Sequence, residues 1–425
     1  IDAPDDGEHT MAHLERLGRD HPVPSTIPKA DDIAGLIYTS GTTGDPKGVL
    51  LSHGNLTHNV HAIRHAFHML DENVRTLSFL PWAHSYGQTG ELHFGMWLGA
   101  SSGFAESPQT IVDDLAKVQP TVLVAVPRIF NRVYDGLHAK MEETGGLPKR
   151  LFEMGKKAGE ERRRLAKEGR SSFLVNLKLA IADRIVFKKI RDKFGGKMQM
   201  AMSSSAALSP HIAEFFFDIG IPIYEAWGMT ELSPAATVNT PERFKPASGG
   251  HPLEMVSLKI DHSVSEEGAK DGELIAYGPN VMKGYHGKPE ATAEVMTEDG
   301  GLRTGDRAYI DDDGFLWITG RIKEQFKLEN GKFVFPAALE EEIKLLPAVE
   351  HAMIHGLNKP FTACLVVPDF EWLAKHAASR GWPTDPAALV ADREVQQHYQ
   401  RTITQHLQGK FGGYEIPKKF IFLAE

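Results

Sequence analysis

Four short apolar runs, at 76–80, 121–126, 198–202 and 221–224, constrain the fold of this chain more than any other pattern in it. Each is strand-like, and each is separated from the next by enough chain for crossover helices, which predicts an α/β fold. Leu80-Pro81-Trp82 and Val126-Pro127-Arg128 break just after two of these runs, where α/β sheets carry their ligand loops. From about residue 249 the texture changes to shorter, turn-rich strands. Gly272-Glu273-Leu274-Ile275-Ala276-Tyr277-Gly278 is one, and 308–310 with 315–319 form a predicted hairpin across Asp311-Asp312-Asp313-Gly314. A second change follows Gly320-Arg321: a helix over 336–346 opening at Pro336, a strand over 363–367 and a helical stretch around 396–407. The expected architecture is a large N-terminal domain of layered mixed sheets and helices, 1–321, with a β-rich subdomain from about 249. A smaller α+β domain, 322–425, follows it.

A chain of 425 residues can bury more than one core. Its net charge of −9 argues against general nucleic-acid binding. Cys364 is the only cysteine, which excludes an internal disulfide and a cysteine-cluster metal site. Within Ala363-Cys364-Leu365-Val366-Val367 it reads as a small buried hydrophobe. No stretch approaches the roughly 18 apolar residues of a membrane span and the start has no signal-peptide pattern, so the cytoplasm is the expected location. The segment 149–197 departs from the acidic average, with 16 Lys/Arg against 6 Asp/Glu, which leaves −19 on the remainder. Two readings stand for it: a charged helical pair covering the sheet, or peripheral attachment to an anionic membrane.

The chemistry-bearing stretches begin with Tyr38-Thr39-Ser40-Gly41-Thr42-Thr43-Gly44-Asp45-Pro46-Lys47-Gly48, flanked by apolar residues at 33–37 and 49–51. Its glycines let the backbone curl, its hydroxyls and lysine offer donors, and successive N–H groups in such a turn cradle an anion. No Gly-Lys-Ser/Thr step feeds a helix here, unlike the common nucleotide loop. A polar hairpin turn with a surface lysine is the plainer alternative. Tyr224-Glu225-Ala226-Trp227-Gly228-Met229-Thr230-Glu231 offers an aromatic plane, a hydroxyl and a carboxylate suited to a divalent cation. Leu302-Arg303-Thr304-Gly305-Asp306 sets a carboxylate beside a glycine turn. Arg321, Lys323 and Lys327 flank the expected domain boundary. Taken singly, these acids also fit ordinary surface turns.

Together, and in this order, these stretches resemble the core motifs of the adenylate-forming enzymes: the acyl-CoA synthetases with their luciferase and peptide-synthetase relatives. The nearest likeness is to AMP-forming long-chain fatty acyl-CoA synthetases, through Val126-Pro127-Arg128-Ile129-Phe130, the basic segment after it, and Glu324-Gln325-Phe326-Lys327-Leu328-Glu329-Asn330-Gly331-Lys332. The similarity runs over about 33–424. It implies ATP, Mg²⁺ and coenzyme A as cofactor and co-substrates and a fatty acid as acyl donor. It also implies a C-terminal domain that rotates between adenylation and thioester formation.

By position, the resemblance gives Thr39, Ser40, Gly41, Thr42, Thr43, Gly44 and Lys47 to the ATP β- and γ-phosphates, with Thr39 and Thr42 near Mg²⁺. Trp227 falls where the family sets an aromatic, usually tyrosine, against adenine, with Gly228 beside it. Ser204 belongs to Ser203-Ser204-Ser205-Ala206-Ala207-Leu208, similar to a Ser-Gly-Gly-Ala-Pro-Leu loop but without its glycines. Thr230 would touch the α-phosphate, Glu231 would ligate Mg²⁺, Asp306 would bind ribose, Arg321 would reach ribose and phosphate, and Lys323 would act as hinge. Lys327, Gly331 and Lys332 would belong to the thioester-forming face. Trp82, His84 and Tyr86 would wall the acyl pocket. The resemblance places the family's bridging lysine beyond Glu425, and Lys418 and Lys419 are not given its role. The phosphate loop starts at residue 38, so the 425 residues are expected to be part of a longer enzyme, and a chain ending there would adenylate weakly. A medium-chain or aryl acid–CoA ligase and a non-catalytic scaffold are the other functions considered.

Overall fold

The computed structural model describes residues 10–39, 45–107, 110–206, 208–265 and 268–424. Its central element is a five-stranded sheet in the order Val122–Ala125, Met200–Ser203, Ile223–Gly228, Ala235–Val238, His251–Pro252. The first three strands are parallel and the last two antiparallel. Beside it, Arg75–Ser78 pairs in parallel with Ser101–Phe104. Three of the predicted parallel-sheet strands fall within two residues of the expected bounds. The fourth, predicted at 221–224, runs on as Ile223–Gly228, so the Tyr224–Gly228 stretch is itself the sheet's C-terminal rim.

Successive side chains on a strand point to opposite faces. Leu123, Ala125, Ala201 and Ile223 accordingly enter one core with Phe130, Phe152, Phe187 and Phe216. Val122, Met200, Met202 and Tyr224 enter a second core with Val49, Leu51, Phe67 and Tyr285. Both faces are therefore covered, which is what parallel strands require. The first face is roofed by the helices Gly146–Lys167 and Phe173–Ala182, so the sheet-covering reading describes the buried side of the basic segment. Phe152 and Phe187 are fully buried there, and truncating either to alanine would cost about 3–5 kcal/mol.

The hairpin Ile33–Thr39/Lys47–Ser52 is antiparallel, with Thr39 opposite Lys47, and Gly284–Tyr285 adds a third strand. Ser52 then caps the helix His53–Ala66 through a reciprocal box with Asn55. The Asn55 amide also donates to Pro279 and Val281 carbonyls, which locks this helix to the segment before Tyr285. A four-stranded antiparallel sheet contains Leu302–Ile310 and Leu316–Arg321, the predicted hairpin.

From Phe326 onward the buried residues form their own cluster, including Leu339, Ile343, Cys364, Val366, Tyr399 and Ile403. It lies between the sheet Val349–His355, Ala363–Pro368, Lys419–Phe422 and the helices Pro336–Ile343, Phe370–Arg380 and Arg393–Leu407. The architecture is thus α/β, with a large mixed-sheet N-terminal domain and a smaller α+β C-terminal one. Cys364 is fully buried, and burial pushes its thiol up to about 12. Among the described residues no helix is long and apolar enough to cross a membrane.

Candidate functional site

A cavity of about 500 Å³ opens at the rim of the central sheet. It is lined by Thr39, Lys47, His84, Tyr86, Ser204, Gly228, Thr230, Glu231, Arg321 and Lys323, residues drawn from five separate stretches of sequence. Ser40, Gly41, Thr42, Thr43 and Gly44 lie outside the described residues.

The turn Thr230–Leu232 follows directly on the strand Ile223–Gly228. Gly228 is required there, because a Cβ would sit 2.0 Å from the Pro234 carbonyl oxygen. Two fully buried asparagines fix the turn. Asn59 donates to the Ala235 and Leu232 carbonyls at 2.7 and 3.3 Å, and Asn280 donates to the same pair at 3.0 and 3.1 Å. The hydroxyls of Thr230 and Ser85 share a hydrogen bond of 3.1 Å. The Glu231 carboxylate is buried, and its Oε1 accepts from the Tyr285 hydroxyl at 2.9 Å. Burial, reinforced by the Glu231 charge, raises the Tyr285 pKa, so the phenol stays a donor. Lys47 lies over the Tyr285 ring, its Nζ 4.8 Å from the centroid.

The second constellation spans the hairpin of Leu302–Ile310 and Leu316–Arg321. Asp306 and Arg321 are register partners, and Arg321 Nε lies 3.1 Å from Asp306 Oδ1. The Trp227 indole N–H donates to Asp306 Oδ2 at 2.9 Å. Burial raises the Asp306 pKa, opposed by the Arg321 charge and the Trp227 bond. Gly305, at φ +72°, lines the cavity with Thr304, whose hydroxyl accepts from the Asp306 N–H at 3.1 Å. Trp227 itself does not line the cavity, although Ala226 and Gly228 on either side do. Its indole N–H braces Asp306, which is likewise absent from the lining.

Elsewhere in the lining, His84 Nδ1 accepts from the Tyr86 N–H at 3.3 Å, and buried Tyr86 donates to the Ala125 carbonyl at 3.4 Å. Trp82 stands outside the lining: its N–H donates to Glu91 at 3.3 Å and its ring meets Phe104 edge-on. Lys327, Gly331 and Lys332 also lie away from the cavity, Lys327 in the strand Phe326–Lys327 and the other two in the turn joining it to Phe333–Val334. There Lys332 covers the Tyr414 ring at 4.4 Å.

Sequence reasoning missed Tyr285, Asn59, Asn280 and Ser85. Asn59 reads as a polar residue on a helix, and Tyr285 and Asn280 lie in turn-rich sequence, so neither period nor spacing marks them. The pairing of Tyr285 with Val49 and the Met282 N–H bond to the Glu231 carbonyl bring it to Glu231. The donors suit a hard cation: Glu231 Oε2 makes no hydrogen bond among the described residues, and Thr39 and Thr230 bring hydroxyls. No group of three or more His, Cys, Asp or Glu able to hold a metal occurs among the described residues. A cation here would therefore share its coordination with ligand oxygens or water. Lys47, Arg321 and Lys323 add positive charge to the lining.

Comparison with known proteins bears on this arrangement. Residues 2–286 match the family model described as AMP-binding enzyme. The long-chain-fatty-acid–CoA ligase FadD15 of Mycobacterium bovis is 35% identical over 381 residues, covering 87% of this chain and 61% of that protein. The putative fatty-acid–CoA ligase fadD11 of Mycobacterium tuberculosis is 37% identical over 370 residues, covering 86% and 63%. The chain thus spans less than two thirds of the length of these curated relatives. Among solved structures, ATP-bound MatB from Rhodopseudomonas palustris is similar with a TM-score of 0.64 and 25% identity, over 95% of this chain and 67% of that one. The adenylation domain of a carboxylate reductase from Mycobacterium chelonae gives 0.71 and 24%, over 97% and 58%.

Proposed function

Because the chain belongs to the AMP-binding enzyme family, we propose that it takes part in joining a long-chain fatty acid to coenzyme A at the expense of ATP. A carboxylate oxygen of the acid attacks the α-phosphorus of ATP and the bond to pyrophosphate breaks, leaving an acyl-adenylate. The thiolate sulfur of coenzyme A then attacks the acyl carbonyl, and the carbon–oxygen bond to AMP breaks. The observation that carries this reading is the convergence of Thr39, Lys47, Thr230, Glu231, Arg321 and Lys323 on one cavity.

In this reading Lys47, Arg321 and Lys323 offset the repulsion between a carboxylate and a triphosphate. Thr230, aligned by Ser85, donates to the α-phosphate, and Asp306, braced by Trp227 and Arg321, accepts from ribose hydroxyls. Glu231, Thr39 and Thr230 would hold Mg²⁺, which when bound supplies charge neutralisation at the phosphates. Residues 1–321 act as the nucleotide and acyl domain, and 322–425 as the domain bringing Lys327, Gly331 and Lys332 to coenzyme A. The fatty-acid assignment is supported by the names of the relatives at 35 and 37% identity.

One observation favours a shorter or more polar acid. Glu91 is 2% exposed next to cavity-lining Gly90, and its Oε1 has no hydrogen-bond partner among the described residues. The test is ATP–pyrophosphate exchange and thioester formation with acids from octanoate to stearate and with aryl acids, alongside equilibrium ATP binding. Exchange driven best by long-chain acids supports the reading. Exchange driven only by aryl or short acids replaces the substrate, and absent ATP binding overturns the proposal.

A further inference from the structure

The helix Phe173–Ala182, with its continuation through Asp183–Phe187 to Lys188–Lys193, divides its residues between two faces. Leu179, Ala182, Val186, Phe187 and Ile190 point into the core beneath. Outward, Phe173, Leu177, Ile181 and Ile185 recur every four residues and are 79, 45, 40 and 43% exposed. Single exposed apolar residues are ordinary, but a continuous ridge on one helix marks an interaction surface.

The cations of this segment divide in the same way. Arg163 pairs with Asp218 and Glu214, Arg164 with Glu161 and Glu168, and Arg191 with Asp183. By contrast, Lys178, Arg184, Lys188 and Lys189 are exposed along the ridge and form no ion pair among the described residues. A groove of about 780 Å³ beside the ridge adds Arg150 and Lys157 next to apolar Met154 and Val175. The surrounding stretch, 149–197, carries a +10 excess in a chain whose remainder sums to −19.

We propose that this face docks on an anionic lipid surface. Phe173, Leu177, Ile181 and Ile185 enter the boundary between headgroups and acyl chains while Lys178, Arg184, Lys188 and Lys189 meet headgroup phosphates. A second copy joined face to face would bring two strongly positive surfaces together. A nucleic acid would satisfy the cations and leave the apolar ridge in water. The proposal is independent of the chemistry assigned to the cavity, and its test reads binding alone.

The experiment is flotation with vesicles of phosphatidylcholine alone and with about 30% phosphatidylglycerol. Wild type is compared with F173S/L177S/I181S and with K178E/R184E/K188E/K189E, thermal melting reporting that each folds. Wild type is expected to float only with the anionic vesicles. The charge variant is expected to bind roughly 100-fold more weakly and the apolar variant roughly 10-fold more weakly. Lys188→Glu and Leu177→Ser alone give smaller losses in the same direction should a multiple variant fail to fold. No flotation of wild type, or undiminished flotation of folded variants, overturns the proposal. So does a wild-type self-association that the apolar variant abolishes without any vesicle binding.

Discussion

The Tyr285 hydroxyl lies 2.9 Å from Glu231 Oε1, across 54 residues of sequence, while Lys47 covers the same ring at 4.8 Å. One side chain thus joins the carboxylate that suits a cation to the lysine that opens the strand Lys47–Ser52. The contact depends on the edge pairing of Gly284–Tyr285 with Lys47–Ser52, so strand register sets the geometry of the charged wall.

Tyr285→Phe keeps the ring and removes only the hydroxyl. A buried carboxylate losing a hydrogen-bond donor is expected to lower the unfolding free energy by about 1.5–3 kcal/mol, measured by chemical denaturation. ATP affinity in the presence of Mg²⁺ should fall by about 5- to 10-fold. Unchanged affinity in a protein of reduced stability would confine Tyr285 to a structural role.

Much of this arrangement was legible in the sequence where local pattern and geometry coincide. The strands Arg75–Ser78, Val122–Ala125 and Met200–Ser203 announce themselves as compact apolar runs, and Pro336 marks the start of its helix. Ala235–Val238 was not legible, because its place in the sheet depends on Ile223–Gly228 as an antiparallel neighbour. Spacing and resemblance together picked out Thr230, Glu231, Asp306 and Arg321. They missed Asn59 and Asn280, whose hydrogen bonds to the Leu232 and Ala235 carbonyls are long-range and leave no periodic trace. Trp227 shows the limit in another way: its N–H bond to Asp306, 79 residues away, leaves no local trace.

Asp306→Asn tests that brace. The amide oxygen can still accept from Trp227, but the charge opposite Arg321 is gone. Relief of a buried charge offsets part of the lost ion pair, so melting should move little. AMP affinity is expected to fall about 10-fold or more, because carboxylate acceptors form the stronger hydrogen bonds. Titration calorimetry showing wild-type affinity would remove Asp306 from the nucleotide site.

Ser205 lines the cavity with φ +76°, in the left-handed region, at a position where the similar family loop carries glycine. A non-glycine residue there holds backbone strain of about 1 kcal/mol. Ser205→Gly is therefore expected to stabilise the chain by no more than about 0.5 kcal/mol, after glycine's greater unfolded-state entropy is counted. A destabilised variant would show that the Ser205 side chain contributes more than its backbone costs.

Glu225 precedes the site on the same strand and is 7% exposed, with Oε2 accepting from the Ala247 N–H at 2.8 Å. Burial pushes its carboxyl from 4.5 up to about 8, the Ala247 bond opposing. Between those values the folded chain binds a proton that the unfolded chain has released. Stability contributed through this group therefore falls as pH rises across that window and is intact below it. Glu225→Gln keeps an acceptor for Ala247 and cannot ionise. Relative to wild type it should be neutral near pH 4 and more stable by about 1–3 kcal/mol near pH 9, read from denaturation curves at both values. A difference between the two proteins that does not change with pH would mean that Glu225 is already ionised in the folded chain.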